Sequence, residues 1–158
     1  MRQVPERSAL MKIIRITADN QISTHDFPNG SISEVNRQLY DLIGPKCELM
    51  EHVMPKRLYT VLGASNKPGR QLGSCTSILM DEEACYHDLE VNVVASFLYE
   101  SDLHGHPIMG DVLVVGEYWG SDGLEFCGMS DDQYNLLYPK LEALTKKARE
   151  QNESITHS

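Results

Sequence analysis

The chain predicts an α+β fold in a single domain, a mainly antiparallel sheet with two to three helices packed against it. Three observations point there. Short β-branched or alternating segments recur along its 158 residues, two apolar stripes at helical spacing each open on a capping-box pair, and no internal repeat or low-complexity tract interrupts the pattern.

Residues 12–17 are rich in β-branched side chains, Ala18-Asp19-Asn20 is turn chemistry, and residues 21–27 alternate with Ile22 and Phe27 apolar; together they predict a β-hairpin. Pro28-Asn29-Gly30 ends the second strand. Ser31 and Glu34 have capping-box spacing, and Ile32, Val35, Leu39 and Leu42 then share one helical face until Gly44-Pro45 stops the helix. Residues 48–54 and 57–62 read as two strands separated by Pro55-Lys56. Asn66-Lys67-Pro68-Gly69 is loop chemistry, residues 75–80 form another strand, and Asp81-Glu82-Glu83 sits at its end.

Between Asp88 and Tyr99 the pattern admits a strand through Val91, Val93 and Val94, or a short helix through Leu98 capped by Asn92; the helix is the reading adopted. His104-Gly105-His106-Pro107 is irregular because Gly and Pro interrupt both periodicities. Residues 108–117 are the best buried strand, with Val112-Leu113-Val114-Val115 apolar on both faces. Trp119 to Gly123 reads as a loop. Ser130 and Gln133 repeat the capping-box spacing before Tyr134, Leu137, Tyr138, Leu141 and Leu144, while Pro139 predicts a kink or break near Tyr138. The domain is expected over residues 11–145, behind a flexible leader (1–10) and ahead of a polar tail that frays (146–158).

A chain of this size buries roughly two-thirds of the surface it exposes unfolded, enough for one core without disulfide or metal. The longest strongly apolar run falls far short of the ~20 residues of a membrane span, and Arg2, Pro5, Glu6 and Arg7 interrupt what a signal peptide would need. Cys47, Cys75, Cys85 and Cys127 lack any paired spacing, so free thiols in a reducing cytoplasm are expected.

Charge is the sharpest feature. Lys and Arg number 14 and Asp and Glu 23, giving a net charge of -9. Residues 1–80 hold ten basic and seven acidic side chains, and residues 133–158 hold four and three. Residues 81–132 hold thirteen acids and no lysine or arginine. Such a segment repels phosphate backbones and attracts a basic protein surface, so direct nucleic-acid binding is not expected. Asp81, Glu82, Glu83, Asp88 and Glu90 are its candidate contact residues, against the plainer reading that these acids cap turns or face water.

Other chemistry is weaker. Cys85-Tyr86-His87 and His104-Gly105-His106 place ligand types one residue apart, unlike the longer spacers of structural zinc sites, so no metal and no cofactor is expected. No nucleophile elbow appears, and Cys127 reads as a small buried thiol. Gly63, Gly69 and Gly73 match neither dinucleotide nor Walker patterns. Lys67 and Arg70 on their loop, with Tyr59 as a stacking surface, form the alternative: a small-molecule site, nucleotide-like in its ligand.

Leu39-Tyr40-Asp41-Leu42-Ile43-Gly44 with Glu48, Met80-Asp81-Glu82-Glu83, Asn92, the block from His104 to Gly116, and Phe126-Cys127-Gly128 with Ser130 resemble the family of bacterial mobile elements and phages catalogued as domain of unknown function 3846. The similarity covers roughly residues 12–144. Ala84 stands where the family usually has Gly after the acidic pair. The resemblance implies a small α+β domain from a conjugative element or prophage, and it transfers no catalytic residue. Within the shared block, Gly110-Asp111 suggests a tight entry to the strand, His104 and His106 belong to the loop feeding it, and Asn92 caps or bonds that loop.

The expected function is a non-enzymatic cytoplasmic accessory protein whose acidic segment docks on a basic surface of another macromolecule, such as a host-defence or DNA-processing protein. A homodimer is the other association this reading allows. A small-molecule binder is the alternative, and a small enzyme using its acids is the third.

Overall fold

A computed structural model describes residues 11–69 and 71–157. The expected leader and Arg70 lie outside the described residues. Lys12–Ile16 (β1) and Ile22–Asp26 (β2) form the expected hairpin. Ile32–Ile43 (α1) follows, with both halves of its capping box made: Glu34 N–H donates to Ser31 Oγ and Ser31 N–H donates to Glu34 Oε1. Next come Met50–Val53 (β3), Lys56–Thr60 (α2), Cys75–Asp81 (β4), Val93–Leu98 (α3), Ser101–His104 (α4), Val112–Gly120 (β5), Gly123–Cys127 (β6) and Asp131–His157 (α5).

All six strands belong to one antiparallel sheet in the order β2-β1-β5-β4-β3. β6 pairs with the far half of β5, in line with β1 on the same edge. The α+β class is therefore correct, with helices on both faces of the sheet. Alternation along the strands sorts the core. Ile14, Ile16, Ile78, Val112 and Val114 face Leu58 of α2, Val94, Ala95 and Leu98 of α3, and Leu137 and Leu141 of α5. Ile13, Leu79, Leu113 and Val115 face Leu39 and Ile43 of α1. β5 is apolar on consecutive residues because it is covered on both sides. Ile32, expected on the buried stripe of α1, is exposed in its first turn.

Five local expectations are corrected. Residues 57–62 are not a strand: Pro55 supplies the extended residue before α2, and the inward positions are Leu58 and Leu62, one helical turn apart. β5 starts at Val112 because the backbone of Ile108 bonds α3 instead: its carbonyl accepts from Asn92 N–H, and its N–H donates to Ser96 Oγ. Trp119 and Gly120 extend β5 into a tight hairpin with β6, whose Gly120 and Gly123 pair. Pro139 does not break α5, and the helix does not fray at Lys146. It continues to His157, with Thr145 and Ala148 buried and Arg149 Nη1 donating to the Asn20 carbonyl.

Two of the three glycines in the block from His104 to Gly116 are required for different reasons. Gly110 has φ +84 and lies against Leu89, where a Cβ would come within 2.7 Å. Gly116 lies under the chain crossing at Gly128, whose carbonyl oxygen would stand 2.3 Å from a Cβ.

Candidate functional site

The site is assembled by Asn92, which is fully buried. Its Nδ2 donates to the carbonyls of Ile16 (3.1 Å) and Gly110 (3.0 Å), and its Oδ1 accepts from Ala95 N–H (3.0 Å). One side chain thus caps α3 and ties the end of β1 to the loop entering β5, serving both of the roles expected for it. Gly110 N–H donates to the Glu90 carbonyl at 2.7 Å, so Glu90, Gly110 and Asp111, all read as candidates from sequence, arrive together.

Asp111 Oδ2 accepts from Arg15 Nη2 at 2.5 Å, and its Oδ1 accepts from Ala18 N–H at 2.9 Å. Arg15 Nε donates to the Leu42 carbonyl, joining β1 to the last turn of α1. Around this pair opens a cleft of about 300 Å³ whose walls include Asp19 of the hairpin turn, Asp41 of α1, Leu89 and Glu90. Four carboxylates and one guanidinium line this cleft, a formal balance of -3. Asp19 accepts a hydrogen bond from the Thr17 hydroxyl; Asp41 and Glu90 point to no cation among the described residues. A broader groove of about 690 Å³ between α1 and the hairpin shares Asp41 and is lined also by Lys12, His25, Asp26 and Gln38.

The remaining acids do not merge into one field. Among the thirteen acids of residues 81–132, five meet an arginine or histidine. Asp81 is buried, not a surface contact as expected: its carboxylate accepts from Glu83 N–H and lies 2.6 Å from His87 Nδ1. Glu117 is buried with Oε2 2.6 Å from His52 Nε2. Asp102 grips Arg57 through two bonds, with Glu100 3.9 Å away, and the guanidinium holds the Asp102 carboxyl below its ordinary range. Glu82, Asp88 and Glu90 are exposed and Glu83 half-buried on the β4–α3 connection. Asp122 and Glu125 lie on the β5–β6 hairpin, and Asp131 and Asp132 in the first turn of α5. The expectation of a single shared negative patch is replaced by this dispersed arrangement with one acidic cleft.

Of the alternative ligand residues, Tyr59 and Lys67 are described. Tyr59 is half-buried against the core and its hydroxyl donates to the Thr76 carbonyl at 2.6 Å; Lys67 is exposed on its loop. His104 uses Nε2 to donate to the Tyr99 carbonyl and Nδ1 to accept from His106 N–H, which closes the loop before β5. Among the described residues no three His, Cys, Asp or Glu side chains converge on a metal-sized site. Burial pushes the Cys75 thiol up to about 11 and the Cys127 thiol to about 12, leaving both protonated at neutral pH.

Sequence reasoning missed Arg15, Asp19 and Asp41. Their only signal was position: a strand, a turn and a helix end that no local pattern brings together. In comparison with known proteins, the chain matches no family model, no curated protein and no solved structure.

Proposed function

We propose that this protein is a non-enzymatic accessory protein acting as an acidic interaction module, which docks in the cytoplasm on a basic surface of another protein. The observation that carries this reading is the cleft lined by Asp19, Asp41, Glu90 and Asp111 with Arg15 as its one cation. Its surplus of carboxylates favours an incoming lysine or arginine side chain and raises the encounter rate with a basic partner. Exposed Glu82 and Asp88 on the adjoining connection extend the attraction beyond the cleft. The resemblance to a mobile-element family adds the setting: a conjugative element or prophage, with a host-defence or DNA-processing protein as the target.

The test is affinity capture from bacterial extract by the full chain and by a variant carrying Asp19→Asn, Asp41→Asn and Glu90→Gln. The reading expects a protein partner that survives nuclease treatment, is released by salt and is lost with the variant. Capture that persists at high salt, or is equal with the variant, overturns it.

A further inference from the structure

The cleft accounts for charge and leaves an apolar surface unexplained. From Glu90 the chain passes exposed Val91 into α3, where Val93 and Phe97, one helical turn apart, face outward while Val94, Ala95 and Leu98 face the core. Phe97 is 39% exposed and Leu103 on α4 is 70% exposed. Four exposed apolar side chains thus lie on α3, its approach and α4, and exposed apolar surface rimmed by polar residues marks interaction sites.

Phe97 is also held in place. The Arg57 guanidinium lies 4.7 Å from its ring centroid, donates through Nη1 to the Phe97 carbonyl at 2.9 Å, and grips Asp102 at 2.6 and 3.0 Å. One face of the ring is backed by a fixed cation, which cuts the ordering cost of using the other face as an anchor. Arg57 is itself neutralised by Asp102 and Glu100. Asp88 and Glu90 are exposed on the connection that leads into α3, and residues 81–132 contain no lysine or arginine. The face thus carries exposed apolar side chains, with Asp88 and Glu90 on the chain leading into it and the half-open carboxylate of Asp102 next to Leu103. Its complement is a segment with an apolar stripe flanked by cations; an anionic membrane or a nucleic acid would be repelled.

We infer that this face receives an amphipathic, lysine- or arginine-rich helix of a partner protein, with Phe97 and Leu103 as its apolar anchors. The inference rests on the acidic-module reading and adds the chemistry of the partner. The probe is a labelled lysine–leucine peptide patterned as an amphipathic helix, compared with a scrambled peptide of the same composition by fluorescence anisotropy. The patterned peptide binds more tightly, by about tenfold, and Phe97→Ser or Leu103→Ser each removes that preference. Both positions are exposed, so unchanged thermal unfolding shows that the variants are folded. Equal binding of the two peptides overturns the inference while leaving the acidic module standing. No binding of either at low salt fails both. A concentration-dependent dimer that Phe97→Ser abolishes assigns the face to a second copy and also overturns it.

Discussion

Glu117 shows what a single buried side chain demands of this sheet. It lies in the central strand with Oε2 bonded to His52 and with Oε1 buried without a partner among the described residues; Ser77 Oγ is in the same condition. Ser77 pairs with Val115, so it is the diagonal neighbour of Glu117 on the same face. The imidazole of His52, 5.3 Å from the Phe126 ring, helps to cover the carboxylate. Removing one partner of a buried pair strands the other, whereas an isostere keeps the shape without the charge. His52→Ala is therefore expected to lower unfolding free energy by about 3 kcal/mol, and Glu117→Gln by about 1 kcal/mol or less, in urea titrations. Equal losses would show that the pair matters only for packing. The thiols give a second residue-scale test. Cys47, Cys75 and Cys127 are buried with pKa values pushed up to about 11, 11 and 12, while Cys85 is exposed. Because the thiolate is the reactive form, brief alkylation at neutral pH should modify Cys85 alone, and all four after unfolding; mass analysis of the intact chain reads this directly. Of these, only the burial of Cys127 was legible in sequence. His52 and Glu117 stand 65 residues apart, and only the sheet register brings them together.

At the scale of elements, Asn92 fastens three pieces of chain together with one side chain. Its carbonyl oxygen caps α3, and its amide nitrogen satisfies two backbone carbonyls. Asn92→Ala loses the cap and strands both acceptors, a cost of about 2–3 kcal/mol. Asn92→Asp keeps the cap but cannot donate, and it buries a charge against two carbonyl oxygens, so it should be the worse of the two by urea unfolding. An Asp variant as stable as the parent would mean that the two donated bonds contribute nothing. This element was readable because a cap is a local signal, as were the hairpin, the capping box of α1 and the apolar run of β5. Signals failed where the decisive partner was remote. Residues 57–62 have strand composition but fold as α2 because Leu58 and Leu62 are the positions that meet the core. Gln133 has capping-box spacing, yet its side-chain oxygen accepts from Ser65 N–H and Thr76 Oγ1, so only Ser130 caps α5. The polar end of α5 stays helical through at least one contact, Arg149 to the β1–β2 turn, that composition does not reveal.

For the molecule as a whole, the question is how a net charge of -9 is distributed between internal pairing and open surface. The cation-free segment draws its partners from elsewhere: Arg15 to Asp111, Arg57 to Asp102, His52 to Glu117. What is left over, including Glu82, Asp88 and Glu90 of that segment and Asp41 outside it, lies open to solvent and repels itself across the compact fold. Salt then acts in opposite directions on two measurements. At physiological ionic strength the screening length is about 8 Å, so added salt relieves repulsion among the surplus carboxylates. Exposed pairs such as Lys12 with Asp26 lose attraction at the same time, but each is worth only about 0–1 kcal/mol, and few stand against a surplus of nine negative charges. Raising salt should therefore hold or raise the thermal midpoint of the isolated protein while it weakens capture of a basic partner. A midpoint that falls with salt would mean that attraction within the fold outweighs repulsion. The carboxylates would then be largely spent on stability, and the acidic cleft would have little charge left to offer a partner.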